Sequence, residues 1–495
     1  MKNNKYMLCI DNGLSLGKAA IVDLNGNIVG VSSFKNEVID RDRFSEVDMD
    51  LFYRKTIGAV KDLLQKADID PAGIISVGNS GHGGGIYLVD KSGDPVRNAI
   101  TSMDARGEEL INNWKESGIN SYPITYTNMW NGQAIPLLYW LKEHERKNYE
   151  RIDQVLFCKD WIKFKLTGEF STDHTDASNA GLMNLNKNCY DPELYRLYDI
   201  EEIYERLPAI NKSQEIIGYI SKKAAHDTGL KEKTPVISGL VDFVACLIGT
   251  GLYDDSAYSI VAGTWGINTA IKNVLNISPQ IMATVKFPDE NNFLAMDTSP
   301  NSAVNLEWFI SEVLEKTCSG MDRKNFYKKI DEKIGRKEIK ESDLYYFPFL
   351  YRSKLTSNME GVIYGFNASH DIYDLVYAIY EGVVFSHLMH IKTLKSGGIV
   401  CNKAMLSGGA TNSPIWCQVF ADILNMEIVT TASKEVGILG LAIYQALGLG
   451  LYKNLREAVA NMVTIKSVYK PDKDKNSIYM RRFKQFQKIL KLLDR

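Results

Sequence analysis

Two strand–turn–strand segments, one opening each half of the chain, limit what it can fold into more than any other feature. The first, YMLCIDNGLSLGKAAIVDLNGNIVG, begins with the apolar strand Met7–Ile10 and breaks at Asp11-Asn12-Gly13. It resumes with the strand Ala19–Val22, turns at Asn25-Gly26-Asn27 and enters a third short strand. The second, SAYSIVAGTWGINTAIKN, again reads strand, tight turn with Gly263-Thr264, strand. Each turn combines glycine with a hydroxyl side chain. At about 100–200 residues per domain, a chain of 495 residues has room for two such domains or more. The repeated hairpin predicts two similar ones, 1–251 and 252–495, with the boundary near Gly251.

Between the hairpins the pattern alternates strand and helix, which predicts the α/β class. A helix is expected over Met49–Lys66, then a strand at Ile74–Val77 that runs into a glycine-rich turn, Gly78 to Gly85. Strand Ile86–Val89 closes with the turn Lys91-Ser92-Gly93-Asp94. The middle, Gly107 to about Lys233, reads as mostly helical, with Ile135–His144 and Trp161–Leu166 the clearest pieces. Strand Pro235–Ser238 then leads through Gly239-Leu240-Val241-Asp242 into the helical run Phe243–Ile248. The second half predicts a long helix Asp371–Lys395, strand Ala404–Leu406, turn Ser407-Gly408-Gly409, helix Pro414–Leu424 and strand Glu427–Thr430. Phe483, Phe486, Ile489, Leu490 and Leu493 give Met480–Leu493 an apolar stripe at helical spacing, with its basic residues expected on a solvated face.

Charge and cysteine usage exclude several classes. Lys+Arg total 58 against Asp+Glu 60, a net charge of -2, so bulk charge predicts neither a nucleic-acid partner nor a membrane-surface partner. The start, MKNNKYMLCIDNG, lacks a signal-peptide pattern. No run reaches the roughly 18 apolar residues of a membrane span; the most apolar stretch, Ile438 to Leu451, is broken by Gln445 and glycines. The seven cysteines (Cys9, Cys158, Cys189, Cys246, Cys318, Cys401, Cys417) are scattered and never in CxxC spacing. That usage predicts reduced thiols in a cytoplasmic protein, with neither a disulfide framework nor a zinc site.

The residues able to carry chemistry sit at the turns. Between the first two strands, Asp11-Asn12-Gly13-Leu14-Ser15-Leu16-Gly17-Lys18 offers glycines that expose N–H groups to phosphate oxygens, a hydroxyl at Ser15, and a carboxylate, Asp11, able to hold a hydrated Mg²⁺. Taken alone, this turn and Gly263-Thr264-Trp265 read more readily as ordinary hairpin bends. The GxxxxGK[ST] loop is absent. Asp242 reads either as a helix cap or as a general base at a strand end. Ser407-Gly408-Gly409-Ala410-Thr411-Asn412 reads either as a strand–helix turn or as a seat for a flat ring or phosphate. His387 and His390, three apart on an apolar helix, read as packed histidines, whereas His82 in the glycine-rich turn reads as a substrate contact.

The order of these features resembles the FGGY family of carbohydrate kinases over nearly the whole chain. Gly361-Val362-Ile363-Tyr364-Gly365-Phe366, followed by Asp374-Leu375-Val376-Tyr377-Ala378-Ile379-Tyr380-Glu381, fits the family's C-terminal signature position by position. LVDFVACLIGTG, VAGTWG, YFPFLY and SGGATNSPIWCQVFAD follow the family order, and KDWIKFKLTGE with DASNAGL resembles its N-terminal domain. The resemblance implies two ribonuclease-H-like domains of the actin-like ATPase superfamily, 1–251 for the sugar and 252–495 for the nucleotide, with the active site in the cleft between them. It implies ATP and Mg²⁺, with Asp242 as catalytic base and Asp11 near the metal. Asn12, Gly13, Ser15 and Lys18 of the first turn, with Gly263 and Thr264 of the second, would bracket the ATP phosphates. Gly408, Gly409 and Asn412 would line the adenosine pocket. Sugar contacts would come from His82, Gly83 and Gly84, from Asp104 within Met103-Asp104-Ala105-Arg106, and from Asp242.

Three departures stand out. Leu14 occupies a position beside Ser15 where the family's turn carries a second hydroxyl. His82-Gly83-Gly84 replaces the Gln-Met-His of xylulose kinases, and Phe243 follows Asp242 where many members have Asn. Asn305-Leu306-Glu307-Trp308 and Tyr380-Glu381-Gly382-Val383-Val384-Phe385-Ser386-His387 resemble the L-xylulose kinase branch most. The expected substrate is a ketopentose, L-xylulose or D-xylulose, with a sugar alcohol (erythritol, ribitol, glycerol) as the alternative. An actin-like ATPase switch and a non-catalytic sugar sensor are the readings of another class. A homodimer is neither required nor excluded by the sequence.

Overall fold

The computed structural model describes residues 5–275, 278–289, 291–317, 322–335, 343–351 and 359–494. Cys318 lies outside them; the six described cysteines are free thiols. Among the described residues, no helix is long and apolar enough to cross a membrane. The chain forms two compact units. The first comprises Met1–Tyr253, Ile271–Leu294 and Glu435–Val463; the second comprises Asp254–Ala270, Ala295–Lys434 and Thr464–Arg495.

In chain order, the first unit supplies β1 (Tyr6–Asn12), β2 (Leu16–Asp23), β3 (Ile28–Lys35), α1 (Met49–Ala67), β4 (Ile74–Gly81), α2 (Cys158–Thr167) and α3 (His174–Asn179). It continues with β5 (Ile216–Tyr219), β6 (Pro235–Ile237), β7 (Leu240–Val241) and α4 (Asp242–Gly249). Its main sheet runs β5–β6–β4–β1–β2–β3, with β7 also paired to β4. β1, β4, β6 and β7 are parallel, while β2 and β3 continue from β1 as an antiparallel meander. β1 is apolar and almost wholly buried, as a strand covered on both faces must be. β3, at the edge, alternates buried and exposed positions. α1 starts where Asp48 accepts a hydrogen bond from the Leu51 N–H.

The second unit holds β8 (Tyr258–Ala262), all but the last two residues of β9 (Gly266–Lys272), all but the first two of β10 (Phe293–Ser299), α5 (Ile372–Ser396), β11 (Lys403–Ser407), α6 (Pro414–Leu424) and β12 (Glu427–Thr431). The first unit then takes α7 (Val436–Gly448), and the second ends with β13 (Ile465–Tyr469) and α8 (Lys473–Leu493). The second sheet contains the order β10–β9–β8–β11–β12–β13. β8 pairs antiparallel with β9 and parallel with β11, as β1 pairs with β2 and β4. The hairpin repeat in the sequence is therefore a repeat of sheet topology. α5 begins in a capping box between Asp371 and Asp374.

Two expectations are corrected. The glycine-rich turn begins at His82, because Gly78–Gly81 belong to β4 and pair with Cys9–Asn12 of β1. Those glycines serve close packing. A Cβ on Gly78 would stand 2.7 Å from Gln445 Nε2, and one on Gly81 would stand 2.8 Å from the Lys159 nitrogen. The stripe at the C-terminus belongs to a helix starting at Lys473, and its basic face is not wholly solvated. Arg482 is 5% exposed and its Nε lies 2.5 Å from Glu381 Oε1, a residue of the family signature.

The apolar stretch at Ile438–Leu451 is mostly α7, a core helix. It crosses α4 with the two backbones in contact: a Cβ on Gly440 would lie 1.9 Å from the Ala245 carbonyl oxygen, and one on Gly249 would lie 1.8 Å from that of Val436. Gln445 points from α7 into the sheet and donates to the Leu8 carbonyl at 3.1 Å. Gly440→Ala is therefore expected to destabilise the first unit by about 1–3 kcal/mol or more through overpacking. Gly58→Ala, on an exposed turn of α1 where a Cβ meets nothing within 4 Å, is expected to stabilise it by about 1 kcal/mol. Denaturation midpoints of the two variants, moving in opposite directions, check both.

Candidate active site

In the first unit, β1, β4 and β7 run side by side and in the same direction. Ser80 of β4 has Asp11 opposite it on one flank and Leu240 on the other; Gly81 has Asn12 and Val241. The strands thus end together, on the edge where ligands of α/β sheets bind. Asp11 stands at the end of β1, and Asp242, one residue past β7, opens α4. With strands about 4.8 Å apart, their carriers β1 and β7 are two strand spacings apart. Ser80 Oγ donates to Asp11 Oδ1 at 2.8 Å, and the Phe243 N–H donates to Asp242 at 2.6 Å. Burial, followed by the charge of Asp11, pushes the Asp242 carboxyl up to about 7. Asp11 is itself raised by burial, against the pull of the Ser80 hydroxyl and Lys18.

The first turn is shorter than the sequence suggests, since β1 runs through Asn12 and β2 starts at Leu16. Its tip is braced by Asn36, whose side chain donates to the Gly13 carbonyl at 2.7 Å and whose N–H donates to the Ser15 carbonyl at 3.1 Å. Ser15 is exposed. Asn12 is fully buried: its amide donates to Asn79 Oδ1 at 2.8 Å and accepts from Thr56 Oγ1 at 3.2 Å. Only its backbone therefore faces the turn. Lys18 pairs with Glu435, Nζ to Oε2 at 2.5 Å.

On the sugar-turn side, His82 is buried and neutral. Burial lowers its pKa to about 4, and Nε2 lies 3.1 Å from the Tyr87 hydroxyl. Asp104 is buried and bidentate to Arg106, with both oxygens at 2.8 Å from guanidinium nitrogens. The same oxygens also accept from the backbone N–H groups of Ser45 and Arg106. That leaves no lone carboxylate at Asp104 to aim at a ligand. Arg106 lies between the rings of Phe44 and Trp140, 4.7 and 4.8 Å from their centroids.

Sequence reasoning missed a buried charge cluster beneath this edge. Lys159 contacts Asp160 at 2.6 Å, Asp173 at 3.0 Å and Asp176 at 3.3 Å, and Lys163 contacts Asp160 at 3.0 Å. All five side chains are inaccessible to solvent. Burial pushes the Asp176 carboxyl up to about 8 and the Lys163 ammonium down to about 8. Asp173 caps α3 and accepts from the Thr175 hydroxyl at 2.7 Å; that hydroxyl in turn accepts from the Val241 N–H at 3.0 Å. The cluster thus reaches the residue before Asp242. The signal for it was KDW and the TDHTDAS run, but neighbouring lysine and aspartate usually mean a solvated surface.

In the second unit a pocket of about 560 Å³ brings together Gly263, Thr264, Gly409 and Asn412. β8 and β11 are parallel neighbours, Val261 opposite Ser407, so both glycine turns leave the sheet on one edge. Gly408 does not line the pocket. At φ 89° it packs on β8's end, where a Cβ would stand 2.5 Å from the Ala262 carbonyl oxygen. The rest of the lining includes Glu307, Tyr327 and the pair Tyr380 and Trp416, stacked 4.2 Å apart. His387 is buried and neutral, bridging Asn268 and Ser302 at 2.8 Å each. Ser302 precedes Val304, whose N–H donates to the Gly263 carbonyl at 3.2 Å. The packed histidine expected here thus braces the second turn.

Two units of one topology, each with glycine turns on the carboxyl edge of its parallel strands, fit the architecture the sequence resemblance implies, and comparison with known proteins assigns the class. The family models for the N-terminal and C-terminal domains of the FGGY family of carbohydrate kinases match residues 6–249 and 258–449. The chain belongs to that family. It is 30% identical to a probable L-xylulose kinase of Haemophilus influenzae, over 99% of both chains. It is 31% identical to the L-xylulose/3-keto-L-gulonate kinase of Escherichia coli, over 99% of this chain and 97% of that one. Among solved structures, a xylulose kinase from Lactobacillus acidophilus has the same fold, with a TM-score of 0.87 at 22% identity over 99% and 98% of the two chains.

Removing Lys159 would leave its buried carboxylates uncompensated. Lys159→Met is expected to cost about 3–5 kcal/mol of stability, whereas Lys66→Met, at an exposed ion pair with Asp62, is expected to cost under about 1 kcal/mol. Chemical denaturation of both variants checks the contrast.

Proposed function

We propose that this carbohydrate kinase transfers the γ-phosphoryl group of ATP to a hydroxyl of a ketopentose, L-xylulose or D-xylulose, with Asp242 as the base. The observation that carries the chemistry is the pair Asp11 and Asp242 on one strand edge, the second held near half-ionisation by burial and by the first. The substrate class rests on the relatives named L-xylulose kinase and on their full-length match. Sugar alcohols are the alternative acceptors.

The sugar hydroxyl hydrogen-bonds Asp242 and gives up its proton as the bond to phosphorus forms. A loose transition state builds little charge on the attacking oxygen, so a base of pKa near 7 suffices. Gly13, Ser15, Gly263 and Thr264 present N–H and hydroxyl donors to the phosphates. The pocket between Gly409, Asn412 and the Tyr380–Trp416 stack takes the adenosine, being of ordinary size for a ligand of that kind. Among the described residues no three metal-binding side chains come together. Asp11 alone fits a Mg²⁺ that keeps its water and phosphate oxygens. When bound, that ion neutralises charge on the β and γ oxygens.

Asp242→Asn is expected to keep ATP binding, read by calorimetry, and to lose sugar phosphorylation by about 10²–10⁴-fold. In the native enzyme kcat/KM for the sugar should rise with pH through a limb near 7, because the base works only as the carboxylate. Near-native turnover in Asp242→Asn would remove Asp242 from the chemistry. Thr264 is exposed, so Thr264→Val is expected to leave the fold intact and raise KM for ATP about tenfold or more, as loss of a hydrogen bond to a charged group does, with sugar ranking unchanged. Initial rates of ADP release over ketopentoses, aldoses and polyols test the substrate class. A polyol preferred over every ketopentose would overturn it.

A further inference from the structure

The sugar turn of this chain has three successive positions without side chains, Gly83, Gly84 and Gly85. Two of them, at φ 76° and 75°, sit in the left-handed region. The space their side chains would occupy is filled from elsewhere in the first unit. A Cβ on Gly84 would lie 2.5 Å from Trp130 Cη2 and 2.9 Å from Cζ2. A Cβ on Gly83 would lie 2.5 Å from Asn179 Nδ2 and 2.9 Å from Val241 Cγ2.

Both intruding side chains are held in place. Gly132 meets the same edge of the indole, where a Cβ would stand 2.4 Å from Trp130 Cζ3, so two glycines make room for that edge. The backbone N–H of Trp130 donates to Gln133 Oε1 at 3.3 Å. Asn179 ends α3, the helix tied through Thr175 to the Val241 N–H. Its amide therefore sits against the side chain that immediately precedes Asp242. Asn179 is 6% exposed, its side-chain amide makes no hydrogen bond to the described residues, and the amide is not among the buried atoms cut off from solvent. An amide that keeps this opening has both a donor and an acceptor to offer a ligand.

We propose that Asn179 and Trp130 decide which sugar the enzyme takes, in place of the side chains the sugar turn lacks. The Asn179 amide hydrogen-bonds the hydroxyl on the carbon next to the one phosphorylated. The indole of Trp130 covers the C–H face of the carbon chain. An amide beside the base reads the configuration of that neighbouring hydroxyl, because the epimer turns it away and leaves the amide unpaired. An aromatic wall accepts a C–H face regardless of configuration, so it contributes binding without ranking epimers. The inference rests on the sugar-kinase reading of the site.

Steady-state kinetics with L-xylulose, D-xylulose, L-ribulose, D-ribulose and xylitol, at saturating Mg–ATP, test it. In Asn179→Ala, kcat/KM for the sugar the native enzyme prefers should fall about 30-fold or more, within the range a lost hydrogen-bonding partner produces. The corresponding value for the epimer at the neighbouring carbon should change less than about threefold, so the ranking collapses. KM for ATP should stay within about twofold. Trp130→Leu should raise KM for every sugar about tenfold with the ranking kept, and Trp130→Phe should restore most of it. A loss in Asn179→Ala that is equal for all sugars, or a ranking left intact, overturns the proposal. Should Asn179→Ala not fold, Asn179→Ser gives the same two readings. The native panel tests the ketopentose reading separately: a native preference outside the ketopentoses overturns that reading, while the collapse is still scored against whichever sugar is preferred.

Discussion

Two carboxylates of like charge share one sheet edge here because β4 lies between the strands that carry them. Ser80 is the hinge of that arrangement, with Asp11 paired on one flank and Leu240 on the other. Its hydroxyl satisfies Asp11, and the strand spacing keeps Asp11 from meeting Asp242 directly. At two strand spacings, about 10 Å, repulsion still counts in a poorly solvated site, and it adds to burial in raising Asp242. Everything else in the first unit keeps this register. Gln445 locks α7 onto β1, the glycine crossing locks α4 onto α7, and Thr175 holds the backbone just before Asp242.

Glycine was the feature of the sequence easiest to see and hardest to interpret. Gly26 and Gly85, at φ 84° and 75°, sit at bends, as Asn-Gly-Asn and the run after His82 suggest. Gly78, Gly81, Gly249 and Gly440 have no positive φ and only make room for something far away in sequence (an amide, a backbone nitrogen, a facing helix), a role that Gly26 and Gly85 add to their bends against the Met462 and Ile100 carbonyls. No local pattern separates the two uses, because a turn is decided by neighbours along the chain and a close approach by neighbours across it. The hairpins, the strand–helix alternation and the family signature were legible, since each depends on order within a short window. The inward reach of β4 through Gly81 was not.

The same limit governed the polar residues. Asp242 and Asp11 could be read as functional because they end apolar strands, and strand ends are where a sheet exposes polar groups. Asp104, expected at the sugar through the family resemblance alone, has both of its oxygens taken by Arg106 two residues later. Asn12 lies one residue beyond Asp11, and the pleat sends it to the opposite face, into Asn79 and Thr56. The 3.6-residue period explains why His387 and His390 both turn inward from α5, but not that His387 would meet Asn268 and Ser302. Those partners come from β9 and from the loop after β10, whose separation in sequence hides the contact.

The two units solve the same problem with different means. Both place a glycine turn at the end of a buried strand and brace it from elsewhere in the unit. In the first, the brace is Asn36, which holds two carbonyls of a short bend from outside the sheet. In the second, the brace comes from below, through a neutral imidazole whose two nitrogens bridge β9 to the Ser302 loop. A histidine suits that place because one ring nitrogen donates and the other accepts: Asn268 Oδ1 takes the proton of Nδ1, which leaves Nε2 to accept from the Ser302 hydroxyl. Burial keeps the ring uncharged, so the brace brings no fixed positive charge to the turn.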